Sequence, residues 1–403
     1  MSVLKKILLF ITIIIFLFIL WNLIFIRISL KKQMNEDNKE NFSIMSIFGS
    51  TQQKEVIKST NSSKVTIENI SRYETIDSSI NILELPLKDF CVKASFNSAI
   101  SGNFVSLDML QYVINRGVRY LDFEVFYIED VSHNFIPVVA ASTDPNFIVL
   151  STENYILLDK VLGAAVANAF SSPCPNYSDP LFINLRIKSK NTNVYDAVGS
   201  SVDNNIQQKI CVDSKTSVIS NLELGKTIFT AKTVTNDTKI KEILNSVVLS
   251  VDKTIFPNYL NESYTKCPIN GKNDTSKHCY YLKNYINIQN GSEDMNLILY
   301  SYLSPRIPFQ ISDDNIRTDA QTITVLNPDN LYLMNSSNGN LDYGDCILKY
   351  GCQIVPYRFY HYDDALEDYE DFFNMNRSGI VPLANAISYY MNSKNKKLEG
   401  LIK

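Results

Sequence analysis

The sequence is poor in the side chains that most often carry metal and acid–base chemistry. Only three of its 403 residues are histidines, and none of its seven cysteines forms a CxxC pair. Because closely spaced cysteines and histidines are the usual signature of zinc, the sequence predicts no zinc site. The formal net charge is −4 and no basic stripe occurs. Nothing in the composition therefore favours nucleic-acid binding.

Charge is also absent from residues 7–26, a run rich in isoleucine, leucine and phenylalanine. At about 1.5 Å per residue, this run spans a hydrocarbon core of about 30 Å. It predicts a transmembrane helix over 7–26, within a membrane anchor of residues 1–32. The alternative is a cleaved signal peptide, which has a shorter apolar run and a small-residue cleavage site. Arg27, Lys31 and Lys32 follow the run instead, which favours the anchor.

Lysine or arginine flanks the run on both sides, so the positive-inside rule does not orient this anchor. About ten Asn-x-Ser/Thr sequons occur, against about six expected by chance in so asparagine-rich a chain. They include Asn61, Asn69, Asn261, Asn273, Asn335 and Asn376. Together with the short N-terminal tail, they favour a single-pass glycoprotein whose large C-terminal domain lies on the non-cytosolic side.

The remainder of the chain divides by composition into a stem and one large domain. Residues 33–84 are rich in serine, asparagine, lysine and glutamate, which predicts a flexible polar stem because little apolar surface can be buried. Residues 85–403 predict a globular domain. Outside the cytosol, Cys267 with Cys279 and Cys346 with Cys352 could each close a short loop. The sequence does not decide whether either disulfide forms.

Near the start of the domain, a helix is followed by a strand that carries two acids. Ser106 and Gly117 bound an apolar helical stripe as N-cap and C-terminal stop. Residues 119–126 then alternate with period two, so Asp122 and Glu124 share one face. Two carboxylates on one face repel each other unless a cation or solvent lies between them. The pattern therefore indicates either a solvated edge strand or a neutralised pair.

The rest of the domain alternates between predicted strands and helices. Strands are predicted at 136–139, 181–187, 227–230, 247–251, 297–302, 322–326 and 353–355, and helices at 156–170, 363–373 and 383–392. Alternation of this kind is typical of the α/β class, and about eight strands with intervening helices indicate a barrel.

Six segments of the domain carry a family resemblance. They are ASFNS (94–98), RGVRYLDFE (116–124), PVVAAS (137–142), PLFINLR (180–186), LGKTIFTAK (224–232) and GCQIVPYRF (351–359). In this order they resemble the X region of phosphatidylinositol-specific phospholipases C and the related PLC-like phosphodiesterases. The resemblance covers residues 88–386 and implies a distorted TIM-type (β/α)8 barrel, with insertions within 236–319.

The same resemblance identifies the positions at which catalytic histidines are replaced. The family uses two histidines as general acid and base, and their positions hold Phe96 and Ala141 here. Because each such group typically supplies about 10²–10⁴-fold in rate, the replacements predict a pseudoenzyme. His361, beyond the last matched segment, is the strongest substitute acid or base. His133 in a predicted hairpin loop and His278 in the poorly matched region are weaker candidates.

Calcium-binding members of the family use four ligand positions, held here by Asn97, Asp122, Glu124 and Arg186. A guanidinium cannot bind a cation, so we expect no metal and no cofactor, with Arg186 joining the two acids in an ion-pair cluster. Arginine replaces calcium in bacterial relatives, which is a precedent for this arrangement. Lys232 matches a substrate-facing lysine of the family, although an ordinary surface lysine explains it equally well.

Three functions follow from the resemblance. The first is a catalytically inactive, membrane-anchored barrel that binds or assembles at a membrane. The second is an active phosphodiesterase in lipid metabolism that hydrolyses phosphatidylinositol with Arg186 and Asp122 or Glu124. The third is an ectodomain that binds inositol or sugar phosphates. The expected partners are the bilayer, phosphoinositide headgroups or another protein, and the asparagine- and lysine-rich composition suggests a virion membrane.

Overall fold

The computed structural model describes residues 64–73, 81–207, 233–257, 259, 282–303, 322–329 and 339–401, apart from 103, 131, 145 and 148. The predicted anchor at 7–26 and the predicted strand at 227–230 lie outside these residues. Among the residues that are described, no helix is both long enough and apolar enough to cross a bilayer.

Short strands and helices alternate along the described chain. The strands are β1 Phe90–Ser95, β2 Ile100–Ser101, β3 Phe104–Val105, β4 Tyr120–Glu129, β5 Phe135–Val139, β6 Ile156–Leu157, β7 Leu181–Ile187, β8 Val247–Asp252, β9 Ile288–Asn290, β10 Met295–Leu299, β11 Ile323–Asn327, β12 Ile354–Tyr357 and β13 Ile380–Pro382. The helices are α1 Leu107–Asn115, α2 Leu158–Ala169, α3 Asn193–Val202, α4 Ile240–Ile243, α5 Tyr343–Tyr350, α6 Asp364–Met375 and α7 Leu383–Leu401.

Eight of these strands form a nearly closed barrel in the order β10-β11-β12-β1-β4-β7-β8-β9. Neighbouring strands along this path are parallel. β5 pairs antiparallel with β4, and β13 pairs antiparallel with β1. The prediction of an α/β, TIM-type barrel is thereby confirmed, with an antiparallel extension beside β4.

Side-chain alternation divides the apolar residues of the barrel into two layers. Leu121, Ile183 and Leu249 point outward and pack with the surrounding helices in the larger core. Phe182 and Val248 point inward and belong to the smaller core inside the barrel. Because consecutive strand residues alternate between these layers, every second residue toward the carboxyl end of a strand also faces the interior.

Elements with strong local signals were predicted closely. The Ser106 side chain accepts the Met109 N–H at 3.3 Å and caps α1, and Gly117 follows the helix with φ 80°. β7 has the predicted bounds, whereas α3 and α5 were not predicted. The interval 236–319, predicted to hold insertions, contributes β8, β9 and β10 to the barrel itself. Strands were predicted at 247–251 and 297–302 within this interval, and they correspond to β8 and in part to β10. β9 has only three residues, which are too few for the alternation to be recognised.

The described part of the predicted stem lies against the barrel. Within residues 64–73, Ile67 and Ile70 are buried, and Ile70 belongs to the interior core. The predicted glycosylation site Asn69 is buried here too, with its side-chain oxygen accepting the Ser178 N–H at 2.9 Å. Residues 64–73 thus pack against the barrel through two isoleucines and a buried asparagine, although the segment is polar on average.

The described cysteines are buried thiols, namely Cys91, Cys174, Cys346 and Cys352. Cys346 and Cys352 therefore do not form a disulfide, which the sequence had left undecided. They lie on either side of the end of α5, where the Cys352 N–H donates to the Cys346 carbonyl at 3.1 Å. Cys267 and Cys279 lie outside the described residues.

Candidate functional site

The site is built by two neighbouring strands of the barrel, β4 and β7. Their parallel register places Asp122 beside Asn184 and Glu124 beside Arg186. All four residues point to the interior near the carboxyl ends of the strands, and all are buried. β4 pairs with strands on both sides, so the alternative of a solvated edge strand is excluded.

Arg186 lies between the two acids and contacts both. Its Nε donates to Asp122 Oδ1 at 2.9 Å, and its Nη2 donates to Asp122 Oδ2 at 2.6 Å. Its Nη1 donates to Glu124 Oε1 at 2.7 Å, and Nη2 also reaches Asn97 Oδ1 at 2.6 Å. This is a fork-like pairing with one carboxylate and a single contact to the other. The structure thus brings together the four predicted residues Asn97, Asp122, Glu124 and Arg186.

Further donors complete the coordination of Asp122. The Asn184 side-chain amide donates to Oδ1 at 2.9 Å, and the Asn97 backbone N–H donates to Oδ2 at 3.1 Å. Asn97 has φ 46°, a left-handed conformation that asparagine tolerates better than most residues. Both oxygens of Asp122 therefore accept at least two N–H groups each.

Glu124 is satisfied in the same way. Lys188 Nζ lies 3.0 Å from Glu124 Oε2, and the Ser142 backbone N–H donates to the same oxygen at 3.0 Å. The Asn97 side chain reaches Oε1, at 3.5 Å, beside the Arg186 contact. No oxygen of the two acids is left without donors. We call the set Asn97, Asp122, Glu124, Arg186 and Lys188 the arginine cluster.

The electrostatics of the arginine cluster favour its charged form. Burial by itself raises the pKa of Glu124, but the charges of Lys188 and Arg186 and the donated hydrogen bonds lower it overall. Burial lowers the pKa of Lys188, and Glu124 partly offsets that shift. For Arg186 the two carboxylates outweigh burial and raise the pKa. Glu124 is thus a weak base with its oxygens occupied.

Apolar side chains stand at the two positions where the resemblance predicts that catalytic histidines are replaced. Phe96 is fully buried, and its ring lies 4.3 Å from the Arg186 guanidinium carbon, in a cation–π contact. Ala141 is also fully buried, next to the Ser142 N–H that caps Glu124. Neither side chain can accept or donate a proton.

The proposed substitutes lie elsewhere. The His361 imidazole is 3.6 Å from Asp363, at the start of α6, and no contact recorded among the described residues joins it to the arginine cluster. His133 lies in the turn between β4 and β5, as predicted, and pairs on the surface with Glu129 at 2.7 Å. His278 and Lys232 lie outside the described residues.

Sequence analysis did not identify several members of this interior. Lys188 follows Arg186 by two residues, so the same alternation could have placed it on the inner face. The neighbour of β7 in the barrel is β8, which presents Ser250 and Asp252 inward. Ser250 donates to the Asn184 side-chain oxygen at 2.9 Å, and burial raises the pKa of Asp252. β8 lies outside the matched segments, but a strand was predicted at 247–251, and alternation along it could have placed Ser250 and Asp252 on one face.

The residues of this site do not fit calcium. Calcium requires 6–8 oxygen ligands, whereas the guanidinium of Arg186 occupies the space between the two acids. Each carboxylate oxygen already accepts N–H donors. A cation would have to displace Arg186, whose charge would repel it.

This chain is similar to several known structures. The crystal structure of L. pealei PLC21 has a TM-score of 0.50 and 13% identity, over 76% of this chain and 38% of that protein. S. officinalis PLC21 has a TM-score of 0.49, 13% identity and the same coverage. A calcium-dependent phosphoinositol-specific phospholipase C from Pseudomonas sp. has a TM-score of 0.39 and 12% identity, over 76% of this chain and 97% of that protein.

This chain therefore spans only about 38% of the length of the two PLC21 proteins. No protein-family model and no curated protein matches the sequence. At 13% identity, the similarity to L. pealei PLC21 concerns the fold alone. The described domain has the barrel fold of phospholipase C structures.

Proposed function

We propose that this protein is a non-catalytic phospholipase-C-like barrel with a binding or structural role at a membrane, such as that of a virion. The observation that carries the proposal is the arginine cluster. Its two acids are neutralised by Arg186 and Lys188, and all four of their oxygens accept hydrogen bonds. A cluster that satisfies itself in this way leaves no oxygen open for a metal or a substrate hydroxyl.

Proton transfer is the second argument. Hydrolysis or transfer of a phosphodiester needs a base near the attacking hydroxyl and an acid near the leaving oxygen. Phe96 and Ala141 supply neither. The lowered pKa of Glu124 makes it a poor base, and the raised pKa of Arg186 makes it a poor acid. The hypothesis of a rearranged enzyme therefore depends on a group outside the cluster, with His361 the candidate.

The role at a membrane comes from the sequence. The uncharged run at 7–26 predicts an anchor, so the bilayer itself is the first proposed partner, with the barrel on the non-cytosolic side. The barrel would also bind a further partner, which is either a second protein or a phosphoinositide headgroup.

The test is a combined assay of hydrolysis and binding. Purified full-length protein in detergent is mixed with phosphatidylinositol micelles, with millimolar calcium or with chelator. We expect no release of soluble inositol phosphate, while an active phospholipase C in parallel shows that the substrate is accessible. Binding of soluble inositol phosphate, measured by calorimetry, separates a headgroup-binding role from a structural one.

Two variants make the outcome specific. The double variant Phe96→His, Ala141→His should remain inactive, because Arg186 still occupies the space between Asp122 and Glu124. Turnover by the wild type that disappears in His361→Ala would instead establish the rearranged enzyme and overturn the proposal.

A further inference from the structure

The N-terminal mouth of the barrel, at the end opposite the arginine cluster, is crossed by residues 64–73, which we call the strap. Gly117 and Asp179 precede β4 and β7, and both contact the strap. The Ile67 side chain packs so closely on Gly117 that a Cβ there would lie 2.7 Å from it. The strap therefore lies where the barrel strands begin.

Two groups of contacts hold the strap in place. On one side, the Thr66 hydroxyl donates to the Asn374 carbonyl at 2.6 Å, and the Glu68 N–H donates to the Arg377 carbonyl at 2.9 Å. On the other side, the Ile70 N–H donates to Asp179 Oδ1 at 2.7 Å. Ile70 is fully buried between these points. Docking of the strap thus covers Asp179 directly.

Asp179 is an unusual partner for a surface segment. It is fully buried, and among the residues that the structure describes no hydrogen-bond partner contacts its Oδ2. The charged group that faces it is Arg119, at the start of β4, whose guanidinium donates to the carbonyls of Ala169 and Asn176. The single carboxylate is therefore only partly compensated.

We infer that the strap is a protonation-linked latch, which docks most tightly on the N-terminal mouth of the barrel when Asp179 is neutral. A neutral carboxyl keeps Oδ1 as acceptor for the Ile70 N–H and removes the cost of burying a charge that is only partly compensated. Release of the strap would hydrate the carboxylate. It would also free the segment that connects the barrel to the predicted anchor.

The direction of the pH dependence follows from linkage. Burial raises the pKa of Asp179 from 3.8 to about 7, against smaller opposing effects of Arg119, the Ile70 N–H and Asn176. In the released state the pKa returns toward 3.8. The docked state thus binds the proton more tightly, so docking is strong at low pH and weakens as pH rises through about 7. Between about pH 5.5 and 8.5 the docking constant should fall about 30-fold.

The experiment is hydrogen exchange of the strap amides in the full chain, corrected for the intrinsic pH dependence of exchange. In the wild type we expect protection of the Ile70 amide to fall about 30-fold between about pH 5.5 and 8.5. Asp179→Asn, which mimics the neutral acid, should keep its protection at both pH values. Glu68→Gln removes an exposed strap carboxylate that pairs with Arg377 and should retain the wild-type pH dependence.

Protection that does not change with pH in the wild type would overturn the latch, and so would an equal fall in Asp179→Asn. If Asp179→Asn fails to fold, the comparison of wild type with Glu68→Gln still decides. Loss of the pH dependence in Glu68→Gln would assign it to the surface pair and refute a role for Asp179.

Discussion

Replacement of Arg186 by alanine should lower the melting temperature of the protein by about 10 °C. The guanidinium neutralises Asp122 and Glu124, which are both fully buried. Removing one member of a buried ionic group typically costs about 3–5 kcal/mol, because the remaining charges lose their compensation. For a domain of this size, 1 kcal/mol corresponds to about 2–4 °C. Thermal melting followed by circular dichroism measures the effect.

Lys190→Ala is the matched control for this variant. Lys190 follows the same strand but is exposed, so its removal should change the unfolding free energy by no more than about 0.5 kcal/mol. An Arg186→Ala protein that melts with the wild type would show that the cluster is not stabilising. It would also remove the main support for a self-satisfied, closed site.

Calcium provides a second measurement on the same position. In the wild type, millimolar calcium should leave the melting temperature unchanged relative to chelator, because Arg186 blocks the space between the acids. Arg186→Glu places an acid there, and calcium at one hundred times its dissociation constant would add about 2.7 kcal/mol of stability. A calcium-dependent rise in the wild type contradicts the interpretation of the cluster as metal-independent.

Glu370→Gln should lower the unfolding free energy about as much as Arg186→Ala does. Glu370 and Arg186 lie far apart in the sequence. Glu370 on α6 contacts Lys93 Nζ on β1 and the Arg116 guanidinium at the end of α1. All three side chains are at most 4% exposed. The variant removes the anion that both buried cations contact, so we expect the unfolding free energy measured in urea to fall by about 3–5 kcal/mol. Glu367→Gln, on the exposed face of the same helix, is the control.

Lys93→Met distinguishes the loss of an ion pair from the loss of packing. Burial lowers the pKa of Lys93 to about 8, with Glu370 opposing. The variant removes this buried charge and leaves Glu370 paired with Arg116, so it should cost much less than Glu370→Gln. If Lys93→Met lowered the unfolding free energy more than Glu370→Gln, Glu370 would not be the group that neutralises both cations.

The pH dependence of the unfolding free energy gives a second comparison, between the wild type and Lys93→Met. Between about pH 8 and 10.5 the unfolded lysine binds the proton and the folded one does not. Stability contributed by this group therefore rises with pH across that window. Lys93→Met should lack the rise.

Local patterns in the sequence were sufficient for some of these features. The period-two alternation of residues 119–126 put Asp122 and Glu124 on one face, and the spacing of Ser106 and Gly117 bounded α1. These signals are local, because side-chain direction and capping depend on residues only a few positions apart. The place of Arg186 opposite the acids came from the family resemblance rather than from any local pattern.

What only the tertiary structure decided depends on contacts between distant segments. Whether Asp122 and Glu124 face solvent or the barrel interior depends on the strands on both sides of β4. Pairing of Lys93 with Glu370, and of Ile70 with Asp179, joins residues far apart in sequence. No periodicity encodes such pairs, since each partner is locally an ordinary buried or polar position. The sequence therefore determined which residues of a strand share a face, whereas the packing of distant segments decided which charges neutralise one another.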